Sequence, residues 1–304
     1  MVHDKNKTGI SQLIERINEF YHSAVHTKSP FYLAYPFMDL VGIEKPIKFK
    51  RYKSLLNSRN QNIYANTIAQ AMNTLLGNYK EYLDLRQKDI QVLTNKDINE
   101  YSSLIARRIC NLLSSCFSYT EYCKTLLPQI ISSPTFKAIK EKHINKDSCE
   151  TIILQEVRHY SQHSGAPIHK ISFTDGNFNV ILYLDMLKKA NLDKEKILVS
   201  YPNELIDVTQ LLPQYIKQLY ELHTDIIAAI QTTIDNNYAQ ICTAISEVQD
   251  LIPKGKERLS EILLISKSCS KHEKHFLTKS NMDAFNYYEK ESEIYILKFF
   301  DITR

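Results

Sequence analysis

Long stretches in which apolar residues recur at three- and four-residue steps constrain this chain more than any other feature. Over residues 60–93 this spacing runs through Ile68, Met72 and Leu76, and similar patterns follow over 97–127 and 203–245. The period places apolar side chains on one face of a helix, which must then pack against a core. Only 6 glycines and 9 prolines interrupt the 304 residues. The sequence therefore predicts a mainly α-helical fold.

Turn residues and helix caps divide the chain into four segments, which we expect to form a single helical domain over 1–304. Gly165 and Pro167 end one helix. Asp175 and Gly176, with β-branched and aromatic flanks, predict a small β-hairpin. The segments are an N-terminal helix (12–25) and irregular basic connector within 1–59, a core of long antiparallel helices (60–167), the β-hairpin insertion (168–202), and C-terminal helices (203–304) that include 256–269 and end in a late strand or short helix.

Composition excludes several classes of protein and leaves the partner open. The formal net charge is +4 and the pI is near 8.5, which is compatible with a polyanionic partner without requiring one. No apolar run approaches the roughly 20 residues needed to span a bilayer, and the amino terminus lacks the apolar stretch of a secretory signal. The six cysteines lie mostly in helical patterns and indicate reduced thiols. We therefore expect a cytoplasmic chain that does not enter the membrane.

Cations and aromatic residues cluster ahead of the first long helix. Glu44 is the only acidic residue in the sequence from 44 to 59, and Phe49 and Tyr52 alternate with the basic residues there. Such a mixture can bind the phosphates and bases of a nucleic acid. A solvated surface between helices explains the same composition equally well. We predict that four of these cations bind substrate: Lys48, Lys50, Arg51 and Lys53.

The segment LQEVRHYSQHSGAP places an arginine and a histidine at the end of a predicted helix. Arg158 and His163 are five residues apart, which gives a rise of about 7.5 Å and an angular offset of about 140°. They do not share one face of the helix. At a two-fold axis, however, each of two helices can contribute an arginine and a histidine to a common cleft. The spacing therefore predicts a composite site in a homodimer.

The chemistry of this pair suits phosphodiester cleavage. A histidine can transfer a proton to or from a ribose 2′-hydroxyl or a leaving 5′-oxygen, and an arginine can neutralise the charge of the phosphorane. Neither role needs a metal ion. The sequence also contains no glycine-rich phosphate loop, dinucleotide turn or Gly-x-Ser-x-Gly elbow, so we expect no cofactor.

The Arg158 match, together with the upstream segment NLLSSCFSYTEY (111–122), resembles the HEPN superfamily and its Arg-x4-6-His signature. The resemblance covers 96–167 and implies a helical bundle, dimerisation through the motif helix, and metal-independent RNA cleavage that leaves a 2′,3′-cyclic phosphate. Arg158 and His163 inherit the catalytic roles, and His159, which stands where the family most often has asparagine, is a third catalytic candidate. The family also suggests a toxin or phage-defence effector with an antitoxin or defence partner. Secondary substrate-binding candidates are Glu156, Tyr160 and Gln162.

Two other functions fit the same residues. A non-catalytic HEPN-like module would bind RNA or a protein partner through the same cleft. In a plain helical scaffold, Arg158 would form a salt bridge with Glu156 or a neighbouring acid, and His163 would cap the helix.

Two further motifs have simpler explanations. Arg16 and His22 also match the signature, but they lie in an ordinary amphipathic helix without a stop signal. Cys269, His272 and His275 have spacings that could bind zinc. Only three candidate ligands are present, in a lysine-rich stretch, so we expect no metal site there.

Overall fold

The computed structural model describes residues 31–37, 40–86, 95–144, 148–164, 169–174, 177–184, 201, 205–252, 259–267 and 272–299. Most of these residues lie in six α-helices, so the expected mainly α-helical fold is confirmed. None of the described helices combines the length and apolarity needed to cross a bilayer. The helices are α1 (Phe49–Arg86), α2 (Asn95–Leu126), α3 (Ser133–Ile139), α4 (Cys149–Ser164), α5 (Val208–Gln249) and α6 (Ser280–Phe299).

Two short helical turns and seven strands complete the described chain. A 3-10 turn (Leu127–Gln129) follows α2, and a π-helical turn (Lys140–Ile144) follows α3. The strands are β1 (Phe31–Phe37), β2 (Leu40–Pro46), β3 (Lys170–Thr174), β4 (Asn177–Tyr183), β5 (Leu205–Asp207), β6 (Glu261–Lys267) and β7 (His272–Thr278).

The chain divides into two compact units, and the first is built around an antiparallel sheet. This unit spans 1–66 and 231–284, and its strands have the order β2-β1-β6-β7. Leu33 of β1 pairs with Leu264 of β6, and both side chains are fully buried. Leu55 of α1 and Ile245 of α5 belong to the same apolar cluster. The sheet therefore buries one face against the two helix segments of its own unit.

The second unit spans 67–230 and 285–304 and contains the helices that carry the Arg158 motif. Strands β3 and β4 form the hairpin that Asp175 and Gly176 predicted, although those two residues lie outside the described ranges. β5 pairs with β4. The buried ring of Phe178 in β4 packs edge-on against Tyr82 of α1 at 5.8 Å and Tyr101 of α2 at 6.4 Å. These aromatic contacts fix the small sheet against the helices.

Local caps set the start of the motif helix, as the sequence predicts. Ser148 precedes α4, and its Oγ accepts a hydrogen bond from the backbone N–H of Thr151 at 3.2 Å. Ser132 caps α3 in the same way, with Pro134 in the first turn. These side chains satisfy N–H groups that have no partner inside the helix. The beginning of α4, and hence the position of Arg158 along it, is encoded locally.

Three predictions of local structure differ from the structure. The connector before residue 59 contains β1 and β2, and α1 begins at Phe49 rather than near residue 60. Pro46 lies just before that helix, where a missing N–H removes no helical bond. The helix expected over 256–269 is replaced from Glu261 by β6, whose ILLI core suits a strand buried on a sheet. The C-terminal segment, which was predicted to be either a late strand or a short helix, is helical and belongs to α6. The helix expected over 12–25, with Arg16 and His22, lies outside the described residues.

Candidate functional site

Arg158 lies in the second half of α4. Its neighbours Ile153, Leu154 and Val157 are buried and define the core-facing side of the helix. Arg158 itself is half-buried at the edge of that side. His163 follows in the last turn, and its side chain lies outside the described residues. The structure thus gives the surroundings of the arginine in the predicted pair.

The guanidinium of Arg158 packs on an aromatic ring from α2. Its Cζ lies 3.6 Å from the centroid of the Phe117 ring. A cation above the face of a ring is attracted by the π electrons, and a planar guanidinium also stacks on the ring. Phe117 belongs to the segment 111–122 that supports the HEPN resemblance. The two parts of the sequence that carry the resemblance therefore meet in the structure.

A second contact shows how α2 and α4 are oriented. Ser161 of α4 hydrogen-bonds with the Cys110 thiol of α2. Because Cys110 precedes Phe117 whereas Ser161 follows Arg158, the two helices run antiparallel. Burial raises the pKa of the Cys110 thiol, and the hydrogen bond to Ser161 lowers it by less. The thiol therefore stays protonated at neutral pH.

The guanidinium of Arg158 makes no ion pair within the described ranges. Its buried Nε also has no hydrogen-bond partner there. Ser161 donates a hydrogen bond of 2.7 Å to the backbone carbonyl of Arg158, which leaves the side chain unaffected. The salt bridge to Glu156 that a plain scaffold would use is absent from this part of the chain. Stacking thus fixes the guanidinium and keeps N–H donors for another acceptor.

The other residues predicted around the pair are distributed over α4. His159 is exposed, whereas Glu156 and Tyr160 are half-buried. The side chain of Gln162, like that of His163, lies outside the described residues. Among the described residues, no ion pair joins Arg158 to Glu156. The partner that sequence analysis missed is Phe117, whose position on α2 depends on helix packing.

The basic stretch of the first unit separates into two groups. Glu247 of α5 accepts from Lys45 Nζ at 3.2 Å and from Arg51 Nη2 at 3.0 Å. Arg59 donates from Nε to the backbone carbonyl of Phe276 at 2.9 Å. These three cations have protein acceptors. The other group comprises Lys48, Lys50 and Lys53, whose side chains are exposed.

A cavity of about 250 Å³ in the second unit is a site that sequence analysis missed. Lys142 and His143, from the π-helical turn, donate to the same oxygen of Asp225, Oδ2, at 2.6 and 2.7 Å. The hydrogen bond from Lys142, followed by that from His143, lowers the pKa of Asp225. Lys142 and His143 line the cavity together with Lys124, Ser148, Thr151, Gln155 and Tyr215. Asp225 lies more than 80 residues from the turn, so spacing gave no signal for this cluster.

A buried polar chain links three helices of the second unit. The hydroxyl of Tyr119 lies 3.1 Å from His223 Nδ1, and His223 Nε2 lies 3.0 Å from Glu289 Oε1. Tyr119 and His223 are almost completely buried, and burial raises the pKa of the Tyr119 hydroxyl well above its usual value. Both ring nitrogens of His223 have partners, Tyr119 at Nδ1 and Glu289 at Nε2. This chain connects α2, α5 and α6 and serves the packing of the bundle.

The described residues contain no cluster of histidine, cysteine and acidic side chains that could hold a metal ion. Of the three residues with zinc-like spacing, His275 lies 3.9 Å from Glu273, whereas Cys269 and the side chain of His272 lie outside the described part.

Comparison of the chain with models of known families, with curated proteins and with solved structures gave no match.

Proposed function

We propose that this chain is a metal-independent endoribonuclease of the HEPN type, with Arg158 and His163 at its active site. One observation carries the proposal. The guanidinium of Arg158 stacks on Phe117 and forms no ion pair with any described residue. An arginine fixed in this way offers N–H donors to a phosphate. The resemblance of the surrounding sequence to HEPN proteins supplies the reaction.

The proposed reaction is a transesterification within the RNA. The ribose 2′-oxygen attacks the adjacent phosphorus, the bond from phosphorus to the 5′-oxygen breaks, and a 2′,3′-cyclic phosphate and a 5′-hydroxyl result. His163 transfers a proton, either from the 2′-hydroxyl or to the leaving 5′-oxygen. Arg158 neutralises the negative charge on the phosphorane. His159 is proposed as a third catalytic residue beside the pair, and Glu156, Tyr160 and Gln162 are proposed to contact the RNA.

The proposed active site is shared by two chains. Arg158 and His163 are offset by about 140° around α4, so one helix does not direct both side chains into one cleft. A two-fold axis along α4 would bring an arginine and a histidine from each chain together. We expect a homodimer in sedimentation experiments at micromolar concentration. A monomer under those conditions would contradict the shared site. A cytoplasmic toxin or defence effector with an antitoxin partner is the biological setting that the resemblance suggests.

Cleavage of RNA by the purified full chain in excess chelator tests the proposed function. We expect cleavage with 2′,3′-cyclic phosphate ends, and loss of cleavage in Arg158→Ala and His163→Ala chains that retain helicity and dimerisation. The double variant should be hardly worse than either single variant, since both residues act on one transition state. Arg108→Ala is the matched control, because Arg108 pairs with Glu81, and it should keep full activity. Unchanged cleavage by His163→Ala would sink the assignment.

A non-catalytic RNA-binding or protein-binding module is the second candidate. The half-buried position of Arg158 over Phe117 favours it, because the same contact also serves packing between α2 and α4. Such a module would bind RNA without producing cyclic phosphate ends. Binding without cleavage in the chelator experiment therefore selects this candidate.

A further inference from the structure

Phe49 begins α1 with its ring half in solvent. The side chain is 51% exposed, although its ring centroid lies 5.0 Å from that of Phe31. Phe31 in turn packs on Tyr52 at 4.7 Å. The ring of Phe49 is therefore supported by a small aromatic cluster and still presents apolar area to solvent. A fixed aromatic face of this kind is suited to stacking on a ligand.

Three lysines accompany this ring. Lys48 and Lys50 flank Phe49 in sequence, and Lys53 Nζ lies 4.6 Å from the centroid of the ring. All three are exposed and have no carboxylate partner in the described chain. Arg51, in the same turn, is different because it pairs with Glu247. We refer to Lys48, Phe49, Lys50 and Lys53 together as the α1 entry surface.

The start of α1 adds positive potential to the entry surface. The helix has 38 residues, and its first turn contains no acidic residue. The first backbone N–H groups of a helix lack partners inside the helix and carry partial positive charge, so acids are favoured there and lysines are not. Glu247 pairs with both Arg51 and Lys45. The three remaining lysines have no acidic partner among the described residues, so they can bind an external anion.

We infer that the α1 entry surface binds single-stranded RNA, with phosphates on the lysines and a base stacked on Phe49. The choice of RNA as the polyanion rests on the proposed function. The exposed ring favours a single strand, because the faces of bases inside a duplex are covered by their neighbours. The inference adds the form of the substrate and a binding surface in the first unit, apart from the residues proposed for cleavage.

Binding of the full chain to a 2′-O-methyl oligouridylate tests the inference. This probe keeps phosphates and bases and lacks the 2′-hydroxyl nucleophile, so cleavage does not interfere. Phe49→Leu keeps an apolar side chain and removes the π face, and should weaken binding about tenfold. Phe49→Trp should retain binding. Changing Lys48, Lys50 and Lys53 together to glutamine should reduce the slope of log affinity against log salt by about 2, from three phosphates at about 0.7 each.

The matched control changes three exposed lysines of the second unit, Lys137, Lys140 and Lys290, to glutamine. It alters net charge equally and should leave the salt slope within experimental error. The same chains are also tested with a fully paired RNA duplex, and with vesicles of phosphatidylcholine and phosphatidylserine in equal parts. Circular dichroism establishes that each variant is folded.

Weakened single-strand binding in Phe49→Leu and in the Lys48, Lys50 and Lys53 variant, with binding unchanged in Phe49→Trp and in the second-unit lysine variant, supports the inference. Preference for the duplex or for the vesicles overturns it, and so does equal binding by all variants. This readout is independent of cleavage. Loss of binding in Phe49→Leu without any RNA cleavage by the parent chain would remove the proposed function and keep the surface. Cleavage that depends on Arg158, with unchanged binding in Phe49→Leu, would support the proposed function and overturn the inferred RNA-binding surface.

Discussion

Arg51 in the first unit and Arg158 in the second are both predicted to act on RNA, yet their neighbours differ. Arg51 shares Glu247 with Lys45, whereas Arg158 lies on the ring of Phe117 and has no acidic partner in the described ranges. Both arginines are partly exposed, so exposure does not separate them. The difference is that the guanidinium of Arg51 is already paired with a carboxylate, whereas that of Arg158 is not paired with any described acid. An aromatic neighbour orients an arginine and leaves its charge for a ligand.

Removing the ring beneath Arg158 is expected to have the largest effect of the changes that leave both arginines in place. Phe117→Leu retains apolar packing and removes a cation–π contact of about 0.5–2 kcal/mol. We expect the rate of RNA cleavage to fall about tenfold, because the guanidinium is less well positioned. Kinetics of cleavage with saturating RNA measure this effect. Phe136→Leu, the same exchange at another half-buried position, should leave the rate unchanged, and a similar loss there would contradict the positioning role.

Releasing Arg51 should have a smaller effect, in the direction of tighter RNA binding. Glu247→Gln removes the carboxylate that Arg51 and Lys45 share, so two cations become available near the α1 entry surface. Affinity for the 2′-O-methyl oligouridylate should rise a few-fold, and the salt slope should increase by up to about 1.4. Stability should change by less than about 1 kcal/mol, as for other surface ion pairs. Unchanged affinity would place Arg51 away from the RNA.

The smallest effect is expected at Asp225, a second carboxylate that accepts hydrogen bonds from two side chains. Its hydrogen bonds, first from Lys142 and then from His143, lower its pKa in the folded chain. A lowered folded pKa stabilises the fold above the unfolded value near pH 4, and the stabilisation is lost as pH falls through the folded pKa. The side chain is 35% exposed, so solvent limits the effect to less than about 1 kcal/mol.

Urea unfolding of the parent and of Asp225→Asn, at pH 7 and at acid pH, measures this contribution. The two chains should differ at pH 7 and converge as the pH falls. The control is the same exchange at Asp84, Asp84→Asn, since Asp84 and Lys80 form an exposed pair along one helix. A difference for Asp225→Asn that grows toward acid pH would contradict the sign of the pKa shift.

The parts of the fold that depend on local patterns were predictable. The helical period, the Ser148 cap and the turn between β3 and β4 each require residues that are neighbours in sequence. The sheet of the first unit was missed because its pairs, such as Leu33 with Leu264, join distant segments. The connector was predicted to be irregular, yet its residues from Phe49 onward belong to α1, where Tyr52 and Leu55 are buried.

The candidate site shows the same division. The position of Arg158 near the end of α4 follows from the cap and the glycine stop. Its aromatic neighbour comes from α2, and the carboxylate beside Arg51 is 196 residues away in sequence. The sequence therefore indicated the two arginines as candidates, but it did not reveal which of them is paired with a carboxylate. The buried chain through His223 was missed for the same reason, since its partners come from two other helices.

The most direct test compares Arg158→Ala with Arg51→Ala on one RNA, in excess chelator and at saturating RNA. If Arg158 neutralises charge that develops during cleavage, its loss should slow the reaction at least about 100-fold, as removal of a transition-state donor does. Arg51→Ala should stay within about twofold of the parent, since Glu247 already occupies that guanidinium. Equal rates for the two variants, whether both fast or both slow, would contradict the account.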